Sequence, residues 1–283
     1  MASPDSKDYT IQTTHGTLAI TDVGTGSPAL LMIHGNSFNK RIFHHILTSP
    51  LSKSHRLLAF DLPGHGASTN APDAERSYSM PGYADAAIEI LTKLEIGPVI
   101  VLGWSLGGHI AIEMIPKYSP LLGIMIVGSP PVNAGEVNTA FTLASGDDEE
   151  GWRSAYAARG DLTEAEMLEY AHVCADPPYE DWMGESVVRT DQRARKLMFE
   201  AFATSPELKQ RTIVEEEKKV RLTACPLILL DDIPPIPNCH AWSLQLQFQS
   251  VSGQFHNIVS PNTFDDSHRR RFLYECDRSH QIR

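Results

Sequence analysis

Val99-Ile100-Val101-Leu102-Gly103-Trp104-Ser105-Leu106-Gly107-Gly108-His109 is the stretch on which the fold turns. Four apolar residues run directly into Gly-Trp-Ser-Leu-Gly, and Ile110, Ala111 and Met114 then recur at helical spacing. A continuous apolar run marks a strand covered on both faces of a sheet. The G-x-S-x-G pattern alone is weak, since average glycine and serine usage produces it by chance in roughly one chain in ten of this length. Set between a buried strand and a helix, it describes a sharp turn that lifts the Ser105 hydroxyl clear of the sheet. Flanking glycines suit such a turn, because strained backbone and close neighbouring segments leave no room for side chains. It also aims the Leu106 amide and the helix N-terminus at any oxyanion formed there. The competing reading is a serine that merely caps a helix.

Working outward, the same alternation repeats. Tyr9 to Ile20 reads as a hairpin around His15-Gly16. Ala29–Ile33 ends at His34-Gly35-Asn36, Arg56–Phe60 at Asp61-Leu62-Pro63-Gly64, and Ile124–Val127 at Gly128-Ser129-Pro130. Tyr83, Ala86, Ala87, Ile90 and Leu94 fall at helical spacing. Strands alternating with helices predict an α/β domain with a mostly parallel sheet. From about residue 134 that rhythm stops. Thr163-Glu164-Ala165-Glu166 fits a capping box, followed by apolar helical spacing, and Asp191 to Phe202 reads as a further helix. Pro226–Leu230 resumes the strand pattern. The expected organisation is an α/β core over 1–133 and 222–283 with a helical cap, 134–221, inserted between.

Bulk properties narrow the function classes. The 283 residues carry 42% apolar and 21% charged residues, as in an ordinary globular protein able to bury a large core. A formal net charge of −11 argues against nucleic-acid and anionic-membrane partners, which need a basic face. Cys174, Cys225, Cys239 and Cys276 are scattered, without zinc spacing, and are expected as free thiols in a reducing compartment. The first residues are polar with no apolar segment behind them, and no run approaches the roughly 18 apolar residues of a span. A cytoplasmic location is the expectation. Oligomeric state has no signature here.

Met32–Ser37, Asp61–Gly66, Ser77–Asp85 and Gly103–His109 together resemble the α/β-hydrolase superfamily, and more closely its N-acyl-homoserine-lactone hydrolases. Gly128–Val132 and the stretch Arg189–Asp191 through Met198–Glu200 are similar too, so the likeness spans about residues 9 to 230. The resemblance implies Ser105 as nucleophile, an acid after the strand that follows the cap, and a histidine near the C-terminus. It implies Asn36 and Leu106 as oxyanion donors. Trp104 and Tyr170 are its substrate-contacting candidates. No metal or organic cofactor is implied, and the partner would be a small ester or lactone.

The last third departs from that pattern. The family's G-x-x-D/E-P becomes Leu229-Leu230-Asp231-Asp232-Ile233-Pro234, and its G-x-G-H becomes Ser252-Gly253-Gln254-Phe255-His256. A serine hydroxyl needs a histidine to take its proton, and that histidine needs a carboxylate to hold its tautomer. His256 is the first candidate base, with His240 and His268 as rivals; Asp232 is the first candidate acid, with Asp231 next. Asp61 is expected to order its turn. The expected function is hydrolysis of an ester or lactone through an acyl-enzyme. Two alternatives share Ser105: a cofactor-free perhydrolase or haloperoxidase, and an impaired or non-catalytic ligand-binding member of the superfamily. A haloalkane dehalogenase would need an aspartate at the position of Ser105.

Overall fold

Lys7–Thr13 (β1) and Gly16–Val23 (β2) form the expected hairpin, in register from Lys7 opposite Asp22 to Thr13 opposite Gly16. In the computed structural model the described residues are 6–137, 139–140, 156–175 and 179–216. Pro226–Leu230, Asp231, Asp232, His240, His256, His268 and the cysteines after Cys174 lie outside them. Ala29–Ile33 (β3), Leu57–Phe60 (β4), Val99–Trp104 (β5) and Leu121–Val127 (β6) complete a sheet of order β1-β2-β4-β3-β5-β6. β2 meets β4 antiparallel, whereas the β3–β4, β3–β5 and β5–β6 pairs are parallel.

All of β3 and all of β4 are buried, which is what their unbroken apolar runs predict. Met80–Lys93 (α1) covers one face with Tyr83, Ala84, Ala87, Ile90 and Leu91. It starts cleanly, because the Ser79 hydroxyl accepts from Gly82 N–H and Pro81 fills the first turn, where its missing N–H costs nothing. Leu106–Met114 (α2) is almost wholly buried, and Ile110, Ala111 and Met114 join the same core.

The chain runs from β3 to β4 on one side and then to β5 on the other. The carboxyl ends of β3 and β5 therefore flank a topological switch point, where open α/β sheets form their ligand crevice. The pairing of Ile33 with Gly103 brings the loops that leave these two strands together.

The helices beyond β6 include Glu164–Ala175 (α3), Asp181–Arg189 (α4), Gln192–Thr204 (α5) and Gln210–Glu216 (α6). The capping box before α3 closes both ways. Glu166 N–H donates to Thr163 Oγ1 at 3.3 Å, while Thr163 N–H donates to the Glu166 carboxylate at 2.8 Å. The segment returns to its starting point, with Ala134 N–H bonded to the Leu208 carbonyl and Gln210 N–H to that of Val132. α6 then packs on α2, where Gln210 Oε1 meets His109 Nδ1 at 2.7 Å.

Candidate active site

Ser105 stands between β5 and α2 at φ 52°, ψ −118°, a backbone that residues with a side chain rarely adopt. Such strain costs about 1–3 kcal/mol and persists only where its surroundings over-determine it. They do so here. Ser105 N–H donates to the Val127 carbonyl at 2.7 Å, and its own carbonyl accepts from Ser129 Oγ at 2.6 Å and Gly108 N–H at 2.9 Å. Ser105 occupies the helix N-cap position, yet its side chain makes no capping hydrogen bond. The hydroxyl is thus not spent on holding the helix.

The motif glycines are there for close approach. A Cβ on Gly107 would collide with the Ile33 carbonyl on β3, and one on Gly103 with the Gly107 carbonyl. Both obstacles are backbone and cannot rotate away. Gly107→Ala is expected to cost about 2 kcal/mol or more, read as a lower urea midpoint at unchanged slope. Gly97→Ala, whose added methyl meets nothing within 4 Å, serves as the neutral control. Equal stability of both variants would show that the elbow is looser than this packing implies.

The loop after β3 lies against the elbow. A Cβ on Gly35 would sit 2.9 Å from Trp104 Cε3 and 3.3 Å from Ser105 Cβ. His34 anchors this loop. Leu62 N–H donates to its Nε2 at 3.0 Å, so Nδ1 carries the proton and donates to the Gly35 carbonyl at 2.8 Å. Phe38 N–H also reaches that carbonyl, at 3.3 Å. In a trans peptide the Asn36 N–H points opposite the Gly35 carbonyl, so its direction is set. Leu106 is the first residue of α2, and its N–H has no carbonyl one turn earlier to bond.

Asp61 orders its turn, as expected. Its carboxylate accepts from Lys40 N–H at 2.7 Å, Lys40 Nζ at 2.9 Å and Ala67 N–H at 2.8 Å. It is fully engaged on the side of the sheet's carboxyl end away from the elbow motif. Burial holds His34 down to about 4 and the neighbouring His65 to about 3, so both are neutral.

The helices beyond β6 supply an apolar wall. Phe38 packs edge-on to Trp104 at 5.1 Å and to Trp182 at 6.4 Å, joining the elbow to α4. Tyr170 is buried in the same cluster with Tyr156, Met167, Met183 and Val187. Its hydroxyl pairs with Cys174, and burial pushes it well above the usual tyrosine range. Asn36 Nδ2 donates to the Ala157 carbonyl at 2.9 Å. Sequence reasoning missed Phe38, Ser129 and Arg195, whose partners lie far away in the chain. Ser129 stands in a Gly-Ser-Pro stretch similar to that of the family, a signal that could have flagged it. A groove of about 580 Å³ opens elsewhere, lined by Asn39, Lys40, Arg41, Trp182, Ser186 and Arg189, and neither Ser105 nor Asn36 reaches it. Among the described residues no group of three His, Cys, Asp or Glu side chains could hold a metal, and no helix is long and apolar enough to cross a membrane.

This combination of sheet order, elbow and neighbouring loop is that of the alpha/beta hydrolase family, whose pattern matches residues 30–247, and the chain belongs to it. Within the family it is similar to the N-acyl homoserine lactonase AidH. The AidH structure complexed with N-butanoyl homoserine is 43% identical, covers 75% of each chain and superposes with a TM-score of 0.68. A variant of the same lactonase complexed with N-hexanoyl homoserine lactone is 42% identical over 75% of this chain and 76% of that one, with a TM-score of 0.68. An uncharacterized protein of Mycobacterium tuberculosis is 32% identical over 134 residues, 47% of this chain and 38% of the relative. The pimeloyl-[acyl-carrier protein] methyl ester esterase of Aeromonas hydrophila is 34% identical over 105 residues, 37% of this chain and 39% of the esterase. The chain thus spans under half the length of these two curated relatives.

Proposed function

We propose that this protein is a serine hydrolase that opens small lactones, N-acyl-homoserine lactones in particular, through an acyl-enzyme. The observation that carries the proposal is Ser105 itself, held at strained φ by hydrogen bonds to its backbone while its hydroxyl caps nothing. The similarity to AidH, seen with both a lactone and a ring-opened acyl homoserine, supports the substrate class.

In this mechanism Ser105 Oγ attacks the lactone carbonyl carbon and gives its proton to a histidine. The N–H groups of Leu106 and Asn36 take the charge that develops on the carbonyl oxygen. The ring C–O bond then breaks, and the histidine returns the proton to the leaving oxygen, which stays tethered to the acyl group. Water, deprotonated by the same histidine, attacks the ester and releases an acyl homoserine. The base and acid are assigned to His256 and Asp232 by chain order and motif. The segment 134–221 serves as the cap, and Trp104, Phe38 and the Tyr170 cluster line the path of the acyl chain.

The test pairs labelling with turnover. A fluorophosphonate probe should modify Ser105, as located by peptide mapping, and C4 to C12 acyl-homoserine lactones should release one proton per ring opened in a pH-stat. A chain left unlabelled would support the binding-protein reading. Labelling without lactone opening, but with peroxide-dependent bromination in acetate, would favour the perhydrolase.

A further inference from the structure

Arg195, on α5, heads the fully buried side chains by volume, with no exposed surface. Taking a guanidinium out of water costs several kcal/mol unless it is paired or fully hydrogen-bonded. None of its hydrogen bonds among the described residues goes to a carboxylate. Nη1 donates to Ser37 Oγ at 3.3 Å and to the Val187 carbonyl at 3.2 Å, and Nε donates to the Arg159 carbonyl at 3.3 Å. Nη2 has no partner among the described residues. For packing alone, an apolar side chain of similar volume would serve better. What distinguishes these bonds is where they end. Val187 lies on α4, Arg159 precedes α3, and Ser37 follows Asn36 in the loop after β3. One guanidinium ties two parts of the helical segment to the loop beside the elbow.

That loop needs a tie. Ser37 has φ 62° in the turn Gly35–Phe38, which the Phe38 N–H to Gly35 carbonyl bond closes. The third position of a turn with positive φ normally takes glycine or asparagine. A serine there is strained and stays only if held. Arg195 donates to the Ser37 hydroxyl. Ser37 donates in turn to Asn36 Oδ1 at 3.2 Å, and Asn36 Nδ2 donates to the Ala157 carbonyl at 2.9 Å. Every donor in this chain points the same way, so each bond polarises the next.

We infer that Arg195 is a positioning residue, a clamp that keeps the Asn36–Ser37 loop in the one conformation that presents the Asn36 amide to the oxyanion. This rests on the reading of Ser105 as nucleophile. The clamp acts when charge develops on the substrate oxygen, so its loss lowers the rate of the chemical step and leaves ground-state binding nearly unchanged.

The experiment measures fluorophosphonate labelling kinetics and backbone amide exchange on the full chain. Arg195→Met is expected to slow the maximal labelling rate by roughly ten- to a hundredfold, with the half-saturating probe concentration within about threefold of the parent's. Amide exchange over residues 34–39 should quicken, while β5 stays protected. Adding Ser37→Gly to Arg195→Met should recover about tenfold in rate and slow that exchange again, because glycine adopts φ 62° without a clamp. A purely structural arginine would not be rescued by a glycine in another element. If Arg195→Met does not fold, Arg195→Lys, which keeps the charge but gathers its donors on a single nitrogen, is expected to show the same changes at smaller amplitude. Unchanged exchange over 34–39, or no rescue by Ser37→Gly, overturns the clamp. If the parent chain itself takes no label, the nucleophile reading falls, and the exchange comparison still decides whether Arg195 holds the loop.

Discussion

Ser105→Ala is expected to keep the unfolding midpoint of the parent chain and to lose turnover by roughly 10⁴- to 10⁶-fold. The two halves of this result separate the rival readings of the residue. A serine that caps a helix contributes about 0.5–2 kcal/mol through its side-chain bond to the first turn. Ser105 makes no such bond, so deleting its oxygen leaves α2 as it was. A nucleophile cannot be replaced by its neighbours, and what survives is only the rate that the oxyanion donors and substrate binding supply without it. Thermal unfolding and initial lactone-opening rates on the same preparation decide the matter. A variant that unfolds several degrees earlier yet still turns over would return Ser105 to a capping role.

Acid is expected to unfold this protein steeply. His34, His65 and His109 are each fully buried, and burial is the first cause that holds them to about 4, 3 and 4. In the unfolded chain each takes up a proton near pH 6.5. The folded state therefore binds fewer protons than the unfolded state from about pH 6.5 downward. Stability is undiminished above that pH, falls as the pH drops towards 4, and levels off once the folded histidines also protonate. Each contributes roughly 1.4 kcal/mol per pH unit in this window, and the three together roughly 4 per pH unit. Against a typical total of about 5–15 kcal/mol, the fold is expected to fail between about pH 4 and 5. Glu113 opposes the trend, since burial raises its carboxyl, but it is one group against three. Urea unfolding at pH 7, 6 and 5 tests the slope, and equal midpoints at pH 7 and 5 would contradict it. The histidines cannot escape by moving. His34 is bonded at both nitrogens, His65 donates into the Pro63 carbonyl turn, and His109 is fixed by Gln210.

β3 and β4 were legible because each is covered on both faces, so its apolar run has no polar interruption. The capping box before α3 was legible because its two partners are three residues apart. Asp61 was placed correctly because its D-L-P-G setting demands that its carboxylate collect nearby N–H groups. Ser37 and Arg195 were not legible. Nothing local marks a serine at φ 62°, and an arginine at a helical position ordinarily reads as exposed. Phe38 likewise gave no sign that it would join the elbow to α4.

For Ser105, then, its neighbours in the chain were sufficient: a buried strand, two glycines and a helix leave one backbone path, and on it the hydroxyl stands clear. The company that Ser105 keeps was settled only by tertiary structure. The pairing of Ile33 with Gly103 lays the Asn36 loop against the elbow, and a guanidinium more than 150 positions further on reaches the same loop from the helical segment. Contacts of that range arise from the packing of whole elements, and no short-range pattern of residues encodes them.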